Sequence, residues 1–297
     1  MAFCALSEAK GMDIKMKKRL LKYIPTIISA PAIIIGAVTM YMNNVPTSIY
    51  IQNILCLIIL GLISYFVISK EYSFNKDITI ILTILSLLLT FINPGIEGVH
   101  RWVSIGPIRL YVSSIVLPII IINLWKIIDK KNNSIWISMI SVICISIILA
   151  LQPDASMITA FAIPMIILFW NSNIKNIFRI FIIIFLSILT TFSWIFLDEL
   201  APVSYVEGII ELVKNMGILW FILGIITLII LPLPFILFPI KEYKLLSLCI
   251  GIYFFILLVS TIFGNFPVPL MGYGISPIIG YFISITWFAK AKIISIH

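Results

Sequence analysis

The residues whose types could perform chemistry lie in four short polar segments that separate long apolar runs. The first segment, 98–106, contains His100, Arg101 and Trp102. A guanidinium group binds phosphate or carboxylate through two parallel hydrogen bonds, and a neighbouring indole can stack on a ligand. In a purely structural alternative, Trp102 belongs to an aromatic belt and Arg101 pairs with Glu97 or with lipid headgroups. The residue types alone do not choose between these interpretations.

Two further segments combine polar side chains with sharp turns of the chain. Gln152 and Asp154 flank a proline between two apolar runs, where a turn and a helix N-cap are a sufficient structural explanation. The segment 267–277 is rich in Pro and Gly and contains Tyr273 and Ser276. Such a composition allows irregular backbone at membrane depth, which is tolerated only where it packs against protein or lines a cavity. Either segment could serve the structure alone or contribute to a ligand site.

The fourth polar segment is acidic. It contains Asp198, Glu199, Glu207 and Glu211, followed by Lys214. Carboxylates beside a bilayer can supply a general base or bind a divalent metal ion. The alternative is a solvated acidic loop without a chemical role, and the residue types by themselves favour that alternative.

The elements that must position these segments follow from an extreme composition. Apolar residues make up 62% of the 297-residue chain and charged residues 11%, against about 45–50% and about 25% in soluble proteins. A soluble chain of this length needs a larger polar surface than these numbers allow. The sequence therefore predicts an integral membrane protein, and it excludes a soluble enzyme, a disordered chain and a coiled coil.

Ten apolar runs come close to the length of a membrane-spanning helix, which is about 20 residues, with a range of about 17–25. We predict an all-α, polytopic helix bundle with spans near 21–42, 50–69, 77–93, 110–127, 134–152, 155–171, 176–197, 216–239, 244–263 and 273–289. The loops between the runs are short, so residues 21–297 are expected to form a single transmembrane domain. Residues 1–20 are expected to be a basic cytoplasmic leader, poorly ordered over 1–16.

The basic residues set the orientation of the predicted bundle. With both termini in the cytoplasm, all 20 Lys and Arg residues except Arg101, Arg109 and Lys214 fall on the cytoplasmic side. This asymmetry is expected when basic loops are retained in the cytoplasm. The net charge of +8 thus reflects membrane orientation, and nucleic acid is not needed as a partner. All four polar segments then lie at the outer face.

Two further features narrow the class of function. The predicted spans contain no ionisable side chain apart from residues at their ends, such as Lys22, Asp77, Arg179 and Lys244. Ion-coupled transporters generally keep such groups at membrane depth, so this distribution weighs against that class. The four cysteines are scattered without metal-ligand spacing, and we expect neither a metal site nor a disulfide framework from them.

Taken in order, three of the polar segments resemble the FtsW/RodA/SpoVE family of bacterial membrane proteins, the SEDS proteins of shape, elongation, division and sporulation. The family's Gly-x-x-Arg-Trp-Ile-x-x-Gly stretch is similar to 98–106, its Gln-Pro-Asp to 152–154, and its Pro-Phe-x-Ser-Tyr-Gly-Gly-Ser signature to 269–276. The resemblance covers the third to the tenth predicted span. It implies a peptidoglycan glycosyltransferase of the bacterial cytoplasmic membrane that polymerises lipid II at the outer face, surrounded by membrane lipid and assisted by a class B penicillin-binding protein.

The resemblance also implies roles for individual residues. The acceptor sugar hydroxyl needs a general base, and the undecaprenyl diphosphate leaving group needs positive charge from arginine, from a divalent cation such as Mg²⁺ or Mn²⁺, or from both. No tightly bound cofactor is expected. We predict Glu207 as the catalytic base. The candidate substrate-binding residues are His100, Arg101, Trp102, Gln152, Asp154, Tyr273 and Ser276.

The sequence departs from the family pattern at positions that matter for catalysis. Ser114 and Leu117 stand where the family has a Glu and a Lys. The position of the family's catalytic Asp holds Val206, which is next to Glu207. Two alternatives to catalysis therefore stay open. One is a catalytically degenerate relative that binds a lipid-linked precursor or a penicillin-binding protein, and the other is a flippase of lipid-linked sugars.

Overall fold

The computed structural model describes residues 2–70, 76–106, 108–129, 135–198 and 200–296. Over these ranges the chain forms a helical bundle with one two-stranded hairpin, which confirms the all-α expectation. A 3-10 turn, Lys241–Tyr243, precedes the eleventh helix. The helices are α1 (Ala2–Met42), α2 (Thr47–Ser69), α3 (Lys76–Leu89), α4 (Val112–Asp129), α5 (Ile135–Leu151), α6 (Ala155–Trp170), α7 (Asn176–Ile195), α8 (Ile209–Asn215), α9 (Ile218–Ile230), α10 (Leu233–Leu237), α11 (Lys244–Ser260) and α12 (Ile275–Ile294).

Each predicted span coincides with an apolar helix. Helices long and apolar enough to cross a membrane cover Lys15–Met42, Thr47–Ser69, Asn176–Ile195, Lys241–Ser260 and Ile275–Ile294. Shorter apolar helices occupy the other predicted spans, at Ile78–Leu89, Val112–Ile128, Ile135–Leu151, Ala155–Trp170 and Ile218–Ile230. The chain is therefore a multi-pass membrane protein. The number of crossings and the cytoplasmic location of the termini stay predictions.

Two helices differ from the predicted spans in ways that the local sequence explains. Helix α1 begins at Ala2 rather than near residue 21, because the leader is rich in Ala, Leu, Lys and Met, which favour helix. The poor order expected over 1–16 stays a prediction. The eighth predicted span is divided into α9 and α10, with Pro232 as the N-cap of α10. Proline has no N–H to continue the hydrogen bonds of α9 and disfavours helix at the residue before it.

A short hairpin between α3 and α4 was not predicted. Strands β1 (Trp102–Ile105) and β2 (Ile108–Tyr111) pair antiparallel, with Trp102 opposite Tyr111. Gly106, in the connecting turn, has a positive φ of 59°, which glycine adopts without steric cost. The hairpin takes up the beginning of the fourth predicted span, so α4 begins at Val112 rather than at residue 110.

The centre of the bundle is formed by α4, α6, α11 and α12. Eleven of the 16 residues of α6 are buried. Helices α4 and α12 pack closely, since a Cβ atom on Gly280 would lie 1.9 Å from the carbonyl oxygen of Ser114. Helix α7 lies at the periphery and exposes an apolar face that includes Ile180, Ile184 and Ile188. Such a face suits contact with lipid, which is as apolar as the side chains themselves.

Contacts between loops bring the predicted outer segments to the same end of the bundle. Arg101, in the loop before β1, contacts Asp154 between α5 and α6 and Asp198 after α7. The Asn265 side chain, after α11, donates to the carbonyl oxygen of Leu200 at 3.2 Å. The expected clustering of polar segments is thus present, and these loops position the candidate site.

The predicted orientation can be checked with single cysteine substitutions at exposed serines. Ser104→Cys and Ser204→Cys lie at the polar end of the bundle, and Ser295→Cys follows α12 near the opposite end. In intact cells a membrane-impermeant maleimide should label the first two, and it should label Ser295→Cys only after the membrane is permeabilised. Labelling of Ser295→Cys alone would show that the orientation is reversed.

Candidate functional site

The polar end is organised around the side chain of Arg101, which is only 3% exposed. Its Nη2 donates hydrogen bonds to the Pro153 carbonyl oxygen and to Asp198 Oδ2. Its Nε lies 3.9 Å from Asp154 Oδ2. One guanidinium therefore joins the loop before β1, the α5–α6 turn and the segment after α7. Its acidic partners are Asp154 and Asp198, not Glu97 as in the structural alternative considered from sequence.

Asp154 is the second centre of this network and is fully buried. It is the N-cap of α6, accepting a hydrogen bond from the Met157 N–H at 3.2 Å, so the predicted capping role is confirmed. Its Oδ2 also accepts from the Tyr111 hydroxyl at 2.6 Å and from the Ser113 hydroxyl at 3.4 Å. The Tyr111 N–H donates to Ser276 Oγ at 2.9 Å. The network thus extends from the hairpin to the beginning of α12.

The charges of the network favour the protonated form of Arg101, and the cost of burying the Asp154 carboxylate is partly offset by its neighbours. Burial by itself lowers the pKa of the Arg101 guanidinium, but the charges of Asp154 and Asp198 outweigh burial and the pKa lies above its ordinary value. Burial raises the pKa of the Asp154 carboxyl, although the Arg101 charge and the hydrogen bonds from Tyr111 and Met157 oppose the rise. Removal of the guanidinium would therefore leave a buried carboxylate without its main source of stabilisation.

The other candidate residues of the first two segments make contacts within the protein. Gln152 is fully buried, and its Nε2 donates to the Leu87 carbonyl oxygen at 3.2 Å and to Thr90 Oγ1 at 2.8 Å. These bonds fix the α5–α6 turn to the end of α3. His100 stacks on Phe91, with ring centroids 5.3 Å apart. A substrate contact by Gln152 or His100 stays a prediction.

Trp102 and Ser276 border the network through Tyr111, whereas Tyr273 lies in the loop before α12. Trp102 is half-buried, with its ring centroid 6.2 Å from that of Tyr111. The Tyr273 hydroxyl donates to Gln52 Oε1 at 2.9 Å, and the Ser276 hydroxyl is occupied by the Tyr111 N–H. Roles in substrate binding stay predictions for these three residues as well.

Glu207 lies on a tight turn after the Asp198 segment. The N–H groups of Val206, Glu207 and Gly208 all donate to the Val203 carbonyl oxygen, at 2.9–3.1 Å. The Glu207 carboxylate accepts from the Val203 N–H at 2.9 Å and is half-buried. Burial raises the pKa of the Glu207 carboxyl above its ordinary value, against the effect of its backbone hydrogen bonds. The charge of Arg101 lowers this pKa and that of Asp198 raises it, both by less than the effect of burial.

A cleft of about 350 Å³ opens beside the network. It exposes one edge of Asp198, whose side chain is 10% exposed, and it offers both apolar surface and carboxylates to a ligand. The residues that line it are Glu97, Gly98, Val99, Pro153, Phe196, Leu197, Asp198 and Leu200. The network is therefore accessible at Asp198 although Arg101 itself is covered.

Asp198, Tyr111 and Ser113 are the participants that sequence reasoning missed. Asp198 was one of four equivalent acids in a loop, and it stands 97 residues from Arg101. Tyr111 and Ser113 occupy positions where the family pattern has other residues. Glu199, another acid of that loop, lies outside the described residues.

The divalent cation considered from sequence has no ready ligand set in the described part of the chain. No group of three or more His, Cys, Asp or Glu side chains there could hold a metal ion. Asp154 and Asp198 both contact Arg101, so they do not form an open ligand pair. Binding of a divalent cation at this end of the bundle stays a prediction.

The fold and the polar centre define a multi-pass helical membrane protein with a buried ionic network under the loops of its polar end. No protein-family model matches the sequence, and no curated protein matches it significantly. Two solved structures of the rod shape determining protein RodA from Thermus thermophilus share its fold. An aspartate-to-alanine mutant of RodA gives a TM-score of 0.65, with 89% of this chain and 96% of that chain covered at 13% identity. RodA without that mutation gives a TM-score of 0.63, with 89% and 95% covered at 13% identity. The chain therefore has a SEDS-family fold.

Loss of the central guanidinium should destabilise the fold. Removal of one partner of a buried ion pair typically costs about 3–5 kcal/mol, and we expect a loss of that order for Arg101→Ala in thermal or denaturant unfolding of the detergent-solubilised protein. Arg109→Ala is the matched control, because Arg109 is an exposed arginine of the same hairpin. Surface substitutions usually change stability by less than about 0.5 kcal/mol.

The stability loss in Arg101→Ala should depend on pH. Without the guanidinium, the folded-state pKa of Asp154 rises further above its unfolded-state value. A carboxyl group with a raised folded-state pKa destabilises the fold at pH values where the unfolded state is ionised. The difference from wild type should therefore be smallest at acidic pH and grow as the pH rises. A difference that is constant across pH would show that lost packing, not lost charge, causes the effect.

Proposed function

We propose that this protein acts in bacterial cell-wall synthesis as a SEDS-type glycosyltransferase that polymerises lipid II at the outer face of the cytoplasmic membrane. The observation that carries the proposal is the placement of Glu207. Its half-buried carboxylate has a raised pKa, lies in the loop between α7 and α8, and is under the electrostatic influence of Arg101 and Asp198. The fold shared with RodA and the three sequence segments that resemble the SEDS family support the same assignment.

The reaction requires a base that is ionised but not strongly solvated. Glu207 would take the proton of the acceptor sugar hydroxyl, whose oxygen then forms a bond to the anomeric carbon of the donor. The bond from that carbon to the diphosphate oxygen breaks, and the diphosphate leaves with the electron pair. A carboxylate whose pKa is raised by partial burial is a better base than a fully solvated one.

In this proposal Arg101 is less accessible to the diphosphate leaving group than an exposed arginine would be. Its guanidinium is buried against Asp198, Pro153 and Asp154, so its first contribution is to hold three outer loops together. Contact with the diphosphate would come through N–H groups that these partners do not occupy. Its Nε has no hydrogen-bond partner among the described atoms, but it is buried and lies 3.9 Å from Asp154 Oδ2, so such a contact would require the covering loops to move.

A binding or scaffold role is the second candidate, and one observation favours it. The cationic centre is closed around its own carboxylates, with Arg101 3% exposed. A protein that only holds a lipid-linked precursor or a class B penicillin-binding protein needs no accessible cationic group at the leaving diphosphate. The two candidates differ in one measurable property, which is the formation of glycan chains.

The decisive experiment is incubation of the purified protein with labelled lipid II, alone and with a class B penicillin-binding protein. General-base assistance typically contributes about 100- to 10,000-fold, so Glu207→Gln should lose at least about 99% of polymerisation while folding and lipid II binding change little. Glu211→Gln is the matched control, because Glu211 is an exposed acid on α8 of the same loop region. Equal activity of Glu207→Gln and wild type would remove Glu207 from catalysis. Retained lipid II or partner binding without any glycan product would support the binding role instead.

The pH dependence of polymerisation gives an independent check on Glu207. The base acts only when it is deprotonated, and burial raises the pKa of its carboxyl. The rate should therefore rise with pH toward a plateau. The midpoint of this rise should lie above the ordinary pKa of a glutamate side chain, which is about 4.3. A residual rate in Glu207→Gln should lack this step, whereas Glu211→Gln should keep it. A wild-type rate that shows no rise with pH above the ordinary glutamate pKa would contradict the assignment of Glu207 as the base.

A further inference from the structure

An asparagine of α2 holds the irregular backbone of the α11–α12 loop through both ends of its amide group. Asn53 is fully buried. Its Nδ2 donates to the Gly272 carbonyl oxygen at 3.1 Å, and its Oδ1 accepts from the Gly274 N–H at 3.3 Å. The preceding residue, Gln52, accepts from the Tyr273 hydroxyl at 2.9 Å. We call these two side chains the α2 clamp.

The loop held by the α2 clamp is in turn packed against the turn that carries Glu207. The Tyr273 N–H donates to the Tyr205 carbonyl oxygen at 2.9 Å, and the Val268 N–H lies 3.4 Å from the Val206 carbonyl oxygen. A Cβ atom on Gly272 would lie 2.5 Å from that same oxygen of Val206. The two backbones are therefore in direct contact, and displacement of one would displace the other.

The backbone hydrogen bonds within the loop are those of local turns, from the Met271 N–H to the Pro269 carbonyl oxygen at 2.7 Å and from the Gly272 N–H to the Val268 carbonyl oxygen at 3.0 Å. Leu270, within it, has a positive φ of 63°, which is unfavourable for a residue with a branched side chain. Buried backbone groups outside helices and strands need polar partners, and one amide side chain can satisfy both a carbonyl and an N–H. Asn53 supplies both from a rigid helix.

We propose that the α2 clamp is a positioning element, which fixes the 267–274 loop and through it sets the position of the Glu207 carboxylate. The consequence for catalysis rests on the function proposed above, whereas the consequence for backbone order does not. The described hydrogen bonds of the Gln52 and Asn53 side chains go to the 272–274 segment and not to the Arg101 network, so their effect would pass through the loop backbone.

Hydrogen exchange of backbone amides in the detergent-solubilised full chain tests the clamp directly. Asn53→Leu keeps a similar volume but removes both hydrogen bonds to the loop. We expect exchange over 267–274 and over 203–208 to become faster by a factor on the order of ten, because two hydrogen bonds of ordinary strength are lost. Gln52→Met removes only the Tyr273 contact, lies at a half-buried position, and should raise exchange in the same two segments by a smaller factor. It keeps the test valid if Asn53→Leu does not fold.

Ser64→Ala is the matched control on the same helix. Ser64 is buried and accepts a hydrogen bond from Thr286 of α12 at 2.7 Å, so its loss also removes a helix–helix contact but not a contact to the loop. Exchange over 203–208 should match wild type in this variant. Unchanged exchange over 203–208 in the folded clamp variants, or an equal increase in Ser64→Ala, would overturn the proposal.

The catalytic consequence is measured separately with lipid II. In Gln52→Met the kcat of polymerisation should fall several-fold with a smaller change in KM, because the base is displaced whereas Tyr273 is the one candidate substrate-binding residue that loses a described hydrogen bond. A kcat equal to wild type despite faster exchange would show that the clamp does not position the base. If wild type forms no glycan chains, the proposed function fails, and the exchange experiment still decides whether the clamp orders the Glu207 turn.

Discussion

The Arg101 guanidinium carries a full charge at a place from which water is almost excluded, and the arrangement of the outer loops depends on how that charge is compensated. An unpaired buried charge is so costly that it is not tolerated. Compensation comes from Asp154 and Asp198, which are brought in by two separate connections between helices. The ion pairs therefore couple three loops, and the relative position of these three loops depends on one side chain.

Irregular backbone beside the bilayer imposes a second constraint, because its N–H and C=O groups cannot be left without partners. The structure satisfies them with side chains from helices. Asp154 caps the first turn of α6, Ser276 accepts the Tyr111 N–H, and Asn53 bonds two backbone groups of the α11–α12 loop. Polar residues that sequence analysis treats as isolated thus share one physical task, which is to replace water for the loop backbone.

The sequence predicts the helices and the gathering of polar segments, but not the contacts among them. Apolar runs of membrane-spanning length predict the helices, and the asymmetry of the basic residues predicts that the polar segments share one end of the bundle. The N-cap role of Asp154 follows from its place after Pro153. The sequence does not identify Asp198 as an acidic partner of Arg101, because nothing in the sequence distinguishes it from the other acids of its loop. Strands of four residues are too short to show alternation, so the hairpin could not be predicted either.

The two candidate chemical groups of the α7–α8 connection differ in how they are held. Asp198 is bound to a buried cation and keeps only a small exposed edge, which suits a structural carboxylate. Glu207 is half-buried on a turn supported by its own backbone and by the neighbouring loop, which suits a group that must exchange a proton. A base needs a raised pKa and access to substrate, whereas an ion-pair partner needs neither. In the proposed function the same short connection separates the two roles, because Arg101 binds Asp198 in its first part and the 267–274 loop, which the α2 clamp contacts, packs against the Glu207 turn in its last.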